Sequence, residues 1–347
     1  MAKIKSTPTD NDLFQKPDKG EVDWDVPTNA NWDVADNELH FRQAENMIIN
    51  GNFDIWQRGT SFSAIGFTAD RWYLSFAGTG VTCTLSRGTK TVGQELPPTR
   101  AAYFAQAVFD DSSTDGNVLL QYRVPNLWAI NNKTITVSFW AQADVNLELG
   151  VEITHHDGTA EHHDVITPVK LAITGGSWNF YTATFVCPLL PSYSTNADTH
   201  FRMNLWLSGG DSSWSGGVPH QSGNLQFSGF GIGYGDRYIP VRERTIEEEM
   251  TLCKNFYQSV SGLGLVGAYA GSYVQMNEIT LPVLMRKTPS ITDDNITFFG
   301  YSGTPGPLHS AYIEPGTLAP VYQWTSAVPG EMFRCDGGRF ILDAELP

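Results

Sequence analysis

The sequence predicts a mainly β protein: an extended N-terminal arm, a jelly-roll β-sandwich, a short α-helix and a small C-terminal β domain. Three observations predict it. Charged residues make up only 17% of the 347, while 33 glycines, 19 prolines and 12% aromatic residues favour strands and turns over helices. Short runs of alternating apolar and polar residues recur between turn-forming clusters. One segment alone carries a clear 3.6-residue apolar period. At 41% apolar the chain can build a real core, and its length suits two compact domains plus a tail.

Residues 1–45 form the predicted arm. LFQKPDKGEVDWDVPTNANWDVADNELH has scattered apolar residues with a period of neither 2 nor 3.6. Such a segment does not bury enough surface to offset an ordering cost of about 1–2 kcal/mol per residue. It is expected to gain order by docking onto another chain, with folding back on its own body as the alternative. Trp24 and Trp32 are the expected anchors, because an indole offers a large apolar area at low entropic cost.

Residues 46–240 form the predicted sandwich. Strands are expected over 135–140, 147–153, 178–187, 201–207 and 225–234, and Asp157-Gly158 signals a hairpin. Side chains alternate across a strand, so Ile135, Val137 and Phe139 share one face and Thr136, Ser138 and Trp140 the other. Phe201, Met203, Leu205 and Leu207 likewise oppose Arg202, Asn204 and Trp206. Both strands thus place a tryptophan among polar neighbours on what is expected to be the less buried side. A flat indole suits the C–H face of a pyranose, and amide, hydroxyl and guanidinium groups suit its hydroxyls. Trp140, Trp206, Arg202 and Asn204 are therefore candidate glycan-binding residues, joined by Trp214 in the loop GGDSSWSGG.

Residues 241–260 carry the connecting helix. Thr245 and Glu248 make a capping box, and Ile246, Met250, Cys253 and Phe256/Tyr257 recur at helical spacing over about thirteen residues. Glu247 to Glu249 sit at the positive end of the helix dipole and Lys254 towards the negative end. Residues 261–347 return to Gly-, Pro- and aromatic-rich sequence and are expected to form the second β domain.

Composition excludes several functions. Twenty-two Lys+Arg against 37 Asp+Glu leave a net charge of −15, which argues against binding nucleic acid or anionic lipid. No run approaches about 18 consecutive apolar residues, so no membrane insertion is expected. Cys83, Cys187, Cys253 and Cys335 form no CxxC pair and are expected as free thiols. His155, His156, His162 and His163 flank the Asp157-Gly158 turn, but strand alternation lets only about two converge, so no metal is expected. No cofactor motif, nucleophile elbow, zinc-protease motif or phosphate loop is present, and no enzyme is expected.

Three segments carry a family resemblance. GEVDWDVPTNANWDVAD, with its spaced Asn29 and Asn31, resembles the start of bacteriophage tail-fibre proteins. NMIINGNFDIWQRGTSF followed by FTADRWYLS is similar to an opening shared by many phage fibre and tail proteins. EEEMTLCKNFYQ, LPVLMRKTPSIT and the terminal LDAEL resemble the distal part of the same proteins, and TVSFWAQA resembles jelly-roll carbohydrate-binding modules. The resemblance implies a structural virion protein and homotrimer located in the tail. It also implies an arm held by tail or neck proteins and a body that recognises host surface glycan. A head fibre, collar or tail adaptor without receptor function is the alternative, and a polysaccharide-degrading enzyme a more distant one.

Overall fold

The computed structural model describes residues 6–8, 15–17, 46–91, 93, 97, 99, 101–113, 115–162, 166–191, 195–210, 213–236, 244–261, 265–270, 273–276, 278–294, 296–299, 304–314, 317–325, 332–336 and 339–346. Strands β1 (Ser6–Pro8) and β2 (Gln15–Pro17) pair antiparallel. Trp24, Asn29, Asn31 and Trp32 lie outside the described residues, and the arm's predicted attachment lies there with them.

Two antiparallel sheets enclose the main core. The first runs β13 (Asn179–Val186), β9 (Thr134–Ala143), β15 (Gly223–Tyr234), β7 (Tyr103–Asp110), β6 (Thr82–Thr89), β3 (Ser61–Phe62). The second runs β11 (Glu161–His162), β10 (Leu147–His156), β14 (His200–Ser208), β8 (Asn117–Val124), β5 (Trp72–Ala77), β4 (Gly66–Phe67), with β12 (Val169–Ile173) also on β10. The chain passes repeatedly from one sheet to the other, as a jelly-roll sandwich requires. Strand alternation sets the inside: Ile135, Val137 and Phe139 from β9 meet Phe201, Met203 and Leu205 from β14, all fully buried.

The segment 46–56 is seated in this core. The Asn46 amide bonds Phe230 O and the Ile232 N–H, and the Asn50 amide bonds both backbone atoms of Ile55 and Ala69's neighbour Asp70 through its carbonyl. Asn50 and Phe53 adopt φ of 57° and 59°, a left-handed turn that drives Phe53 against Trp72 and Phe230. The conspicuous asparagines of this motif are thus buried hydrogen-bonding pivots.

Helix α1 (Ile246–Lys254) starts at the predicted capping box: Thr245 Oγ1 accepts from Glu248 N, and Glu248 Oε2 accepts from Thr245 N. It ends sooner than expected. Phe256 and Tyr257 leave the helix, and Phe256 packs its ring under the Arg71 guanidinium, 3.4 Å from ring centre to Cζ. Strand β16 (Tyr257–Ser261) then pairs with β25 (Arg339–Asp343), which also holds β20 (Ser290–Asp294).

A further sheet orders β19 (Ile279–Thr280), β23 (Thr317–Thr325), β18 (Tyr273–Met276), β17 (Leu265–Ala270), β24 (Met332–Asp336) and β21 (Thr297–Phe299), with β22 (Thr304–Glu314) on β23. Met276, Leu281, Leu318, Tyr322, Phe340 and Leu342 make a second core separate from the first.

The chain's last described residues bind back onto the sandwich. Arg71 is ion-paired with Glu345, both buried, and Arg123 Nη1 donates to Leu346 O at 3.1 Å. Arg58 lies 3.3 Å from Asp343, 3.4 Å from Glu345 and 3.6 Å from Asp70. The segments QRG, ADRW and LDAEL, far apart in sequence, meet in this one charged cluster.

Candidate functional site

Trp140 and Trp206 stand on opposite outer faces of the sandwich, because β9 belongs to one sheet and β14 to the other. They do not form one site. The expectation that Trp206, Asn204 and Arg202 occupy a less buried side is also corrected: they are 6%, 1% and 9% exposed. Protein covers and engages them. Trp206 Nε1 and Asn204 Nδ2 both donate to Glu152 Oε2, at 2.8 and 2.9 Å, and Arg202 pairs with Glu161 at 2.6 Å. The loop after β14 presses so close that a Cβ on Gly150 would lie 2.2 Å from Ser215 O. Trp214, on that loop, is exposed as expected at 49%, but on the Trp206 side.

Several residues of the other outer face are less buried. There Trp140 is half-buried and in register with Phe180 on β13 and Ser228 on β15. Two residues along each strand, Gln142, Gln226 and Gln106 align across β9, β15 and β7, and all three are half-buried. Gln142 Nε2 donates to Gly176 O at 3.3 Å and Gln106 Nε2 to Asn224 Oδ1 at 3.1 Å. The central Gln226 amide has no hydrogen bond to a described residue. An aromatic row therefore runs beside an amide row on a single face.

Two more rings wall it. Trp178 precedes β13 and Phe104 lies on β7, three strands away, or about 14 Å at the usual spacing. Their ring centres are only 5.8 Å apart. A bulge between Ser228 and Gly231 shapes the same corner. Gly229 there has φ of +69°, and a Cβ would meet Thr99 Cγ2 at 3.1 Å and Trp140 Cδ1 at 3.2 Å.

Of the predicted glycan residues, the structure leaves Trp140 on this face and adds Phe180, Phe104, Trp178 and the three glutamines. Alternation in 178–187 and 225–234 already shows which residues share a face. Register with β9 and β7 is the missing information, and it comes from long-range pairing.

Two other features lie away from this face. An apolar cavity of about 420 Å³ is lined by Leu127, Trp128, Asn131, Leu189, Leu190, Pro191 and Thr195. Trp128 is 71% exposed there, but the side-chain Oδ1 of Asn131 already accepts the Leu190 N–H. The histidines divide as alternation predicts. His155 stacks on His162 at 4.7 Å and His156 on His200 at 4.9 Å, on opposite faces of β10. His163 lies outside the described residues, and no group of three metal-ligating side chains occurs among those described. Cys83, Cys187 and Cys253 are free and buried, and burial pushes Cys83 up to about 12 and Cys187 to about 11.

No protein-family model and no curated protein matches the chain in sequence. Solved structures with a similar course include the enzymatically active domain of bacteriophage CBA120 tailspike protein 4. That match has 15% identity and a TM-score of 0.34 over 55% of this chain; it spans only 21% of the tailspike chain. The family 11 carbohydrate-binding module of Clostridium thermocellum, in complex with a mixed-linked tetrasaccharide, gives 13% identity and a TM-score of 0.33, covering 53% of this chain and 98% of the module. A cyclase from Fischerella sp. TAU gives 13% identity and 0.38, covering 56% and 100%. Neighbours of such different kinds, at such scores, do not decide a ligand.

Proposed function

We propose that this chain is a fibre protein of a bacteriophage virion, non-enzymatic and trimeric, which binds glycan on the host surface through the Trp140 face of its sandwich. The observation that carries glycan binding is the pairing of two registered rows: Phe180–Trp140–Ser228, and Gln142–Gln226–Gln106. Sugar rings present C–H faces and hydroxyl edges at once, so their sites need aromatic surface beside groups that both donate and accept. An amide does both, and the Gln226 amide is not engaged by a described residue. Neutral amides also suit a chain of net charge −15, in which long-range attraction to an anionic cell surface is absent. Several weak sites on one particle then add through effective concentration.

The phage assignment rests on the sequence resemblance, in particular the arm with Trp24, Asn29, Asn31 and Trp32 and the order of motifs along the chain. The test is binding of the purified chain to immobilised host surface polysaccharide, with Trp140→Ala as the variant. Binding that Trp140→Ala reduces at least tenfold supports the reading. Equal binding by a folded Trp140→Ala protein rejects the site. Antibody labelling of intact virions tests the location: label at the periphery of the tail supports a fibre, and label on the head or collar rejects it.

A further inference from the structure

Lys90, just after β6, lies at the corner of the Trp140 face, and its surroundings are not those of an ordinary surface lysine. Its Nζ donates to Thr99 Oγ1 at 2.5 Å, and Thr99 Oγ1 lies 3.4 Å from Ser228 Oγ. Ser228 is the residue paired with Trp140. Thr99, Trp140 and Asn52 also converge on Gly229, where a Cβ would lie 3.1, 3.2 and 3.9 Å from them. One ammonium, two hydroxyls, one amide oxygen and one indole edge thus meet at the end of the aromatic row.

Two groups in this corner lack their natural complements. Asn52 Oδ1 is buried with no hydrogen-bond donor among the described residues. Lys90 has no ion pair among them, although acidic residues outnumber basic ones by 37 to 22. The carboxylate of Asp54 acts on it, but its Oδ1 accepts the Ala102 N–H at 3.2 Å. Burial pulls Lys90 down to about 8, with Asp54 opposing, so it is a cation at neutral pH that has lost part of its hydration. A half-dehydrated ammonium held by Thr99 alone among the described residues gains most from an arriving anion.

We infer that the glycan bound on this face is acidic, and that a sugar carboxylate sits on Lys90 beside the Thr99 hydroxyl. This rests on the Trp140 face being the glycan site. The local cation does not steer acidic polymers from a distance, because the surrounding field is negative and is screened within about 8–10 Å; it selects among sugars already in contact.

The test measures affinities for three acidic probes and the carboxyl-reduced counterpart of each: oligogalacturonate, oligomannuronate and a sialic-acid-terminated oligosaccharide. A sulfated oligosaccharide is a fourth arm. Wild type is expected to bind at least one acidic probe about tenfold more tightly than its reduced form. Lys90→Gln should bring that ratio to within about twofold, and Lys90→Arg should keep it, with thermal melts confirming that both fold. Trp140→Ala should weaken binding to the acidic and reduced probes alike. An unchanged ratio in Lys90→Gln, equal wild-type binding to acidic and reduced probes, or a preference for sulfate overturns the carboxylate assignment and leaves the face standing. Binding that Trp140→Ala does not alter, or no binding to any probe, overturns the face itself.

Discussion

Arg71 and Glu345 are ion-paired in the interior, 274 residues apart in sequence, and both are almost wholly removed from solvent. The pair joins the start of β5 to the tail after β25, and the Phe256 ring covers the guanidinium. Taking such charges out of water costs several kcal/mol per ion, so each partner depends on the other.

Glu345→Gln is accordingly expected to destabilise the protein by about 3–5 kcal/mol, because it leaves Arg71 buried and uncompensated. Urea unfolding followed by tryptophan fluorescence measures it. Asp343→Asn, which removes a carboxylate that is 34% exposed, should cost about 1 kcal/mol or less. Equal effects from the two variants would contradict the account of this cluster.

Stability should fall with acid through the histidines. Burial holds His155 down at about 4, reinforced by His162 and opposed by Asp157. Burial holds His200 at about 3, with Arg202, His156 and Arg123 reinforcing and the Asp198 carbonyl opposing. The unfolded chain takes up these protons near pH 6.5 and the folded chain does not, so the unfolded state binds more protons between about 6.5 and 4. Stability is thus complete above about pH 6.5 and declines below it. Urea midpoints between pH 7.5 and 4 should drop, and His200→Asn should flatten that drop; an identical slope in the variant contradicts it.

Gly229→Ala tests the corner beside Trp140. A non-glycine residue at φ of +69° costs roughly 1–2 kcal/mol, and the added methyl would press on Thr99 and Trp140. The expected outcome is that loss in urea unfolding together with weaker glycan binding. A fully stable variant with unchanged binding would show that the bulge does not position the indole.

Gln226→Ala separates binding from folding. Its amide is not engaged by a described residue, so stability should change by no more than about 0.5 kcal/mol. Losing its hydrogen bonds to a sugar should weaken binding about three- to tenfold. A large loss of stability, or no loss of binding, counts against its role.

Much of the fold was legible because its causes are local. The 135–140 and 201–207 alternations, the Thr245–Glu248 capping box and the Asp157-Gly158 turn all act within a few residues, and each is found where the sequence places it. Gly158, for example, takes φ of 98°, and Asp157 Oδ1 caps the turn by accepting the Thr159 and Ala160 N–H groups.

The site was only half legible, because alternation says which side chains share a face and not what covers that face. Arg202, Asn204 and Trp206 have the composition of a sugar site, yet Glu152, Glu161 and the loop at Ser215 occupy them. The amide row of Gln142, Gln226 and Gln106 draws on three strands spread over more than a hundred residues. Its only sequence trace is one glutamine in each strand. Phe256 failed as a helical residue for a related reason: Arg71, distant in sequence, draws it out of the helix pattern.

The proposed division of roles gives the glycan to the Trp140 face and leaves the Trp206 face structural. Its most direct test is the affinity of folded Trp140→Ala, beside wild type, for immobilised host surface polysaccharide, with Trp214→Ala as the opposite-side control. Truncating a central aromatic anchor should cost at least about tenfold in affinity, while Trp214→Ala stays within about twofold of wild type. Full binding by Trp140→Ala, or a loss confined to Trp214→Ala, would contradict the account.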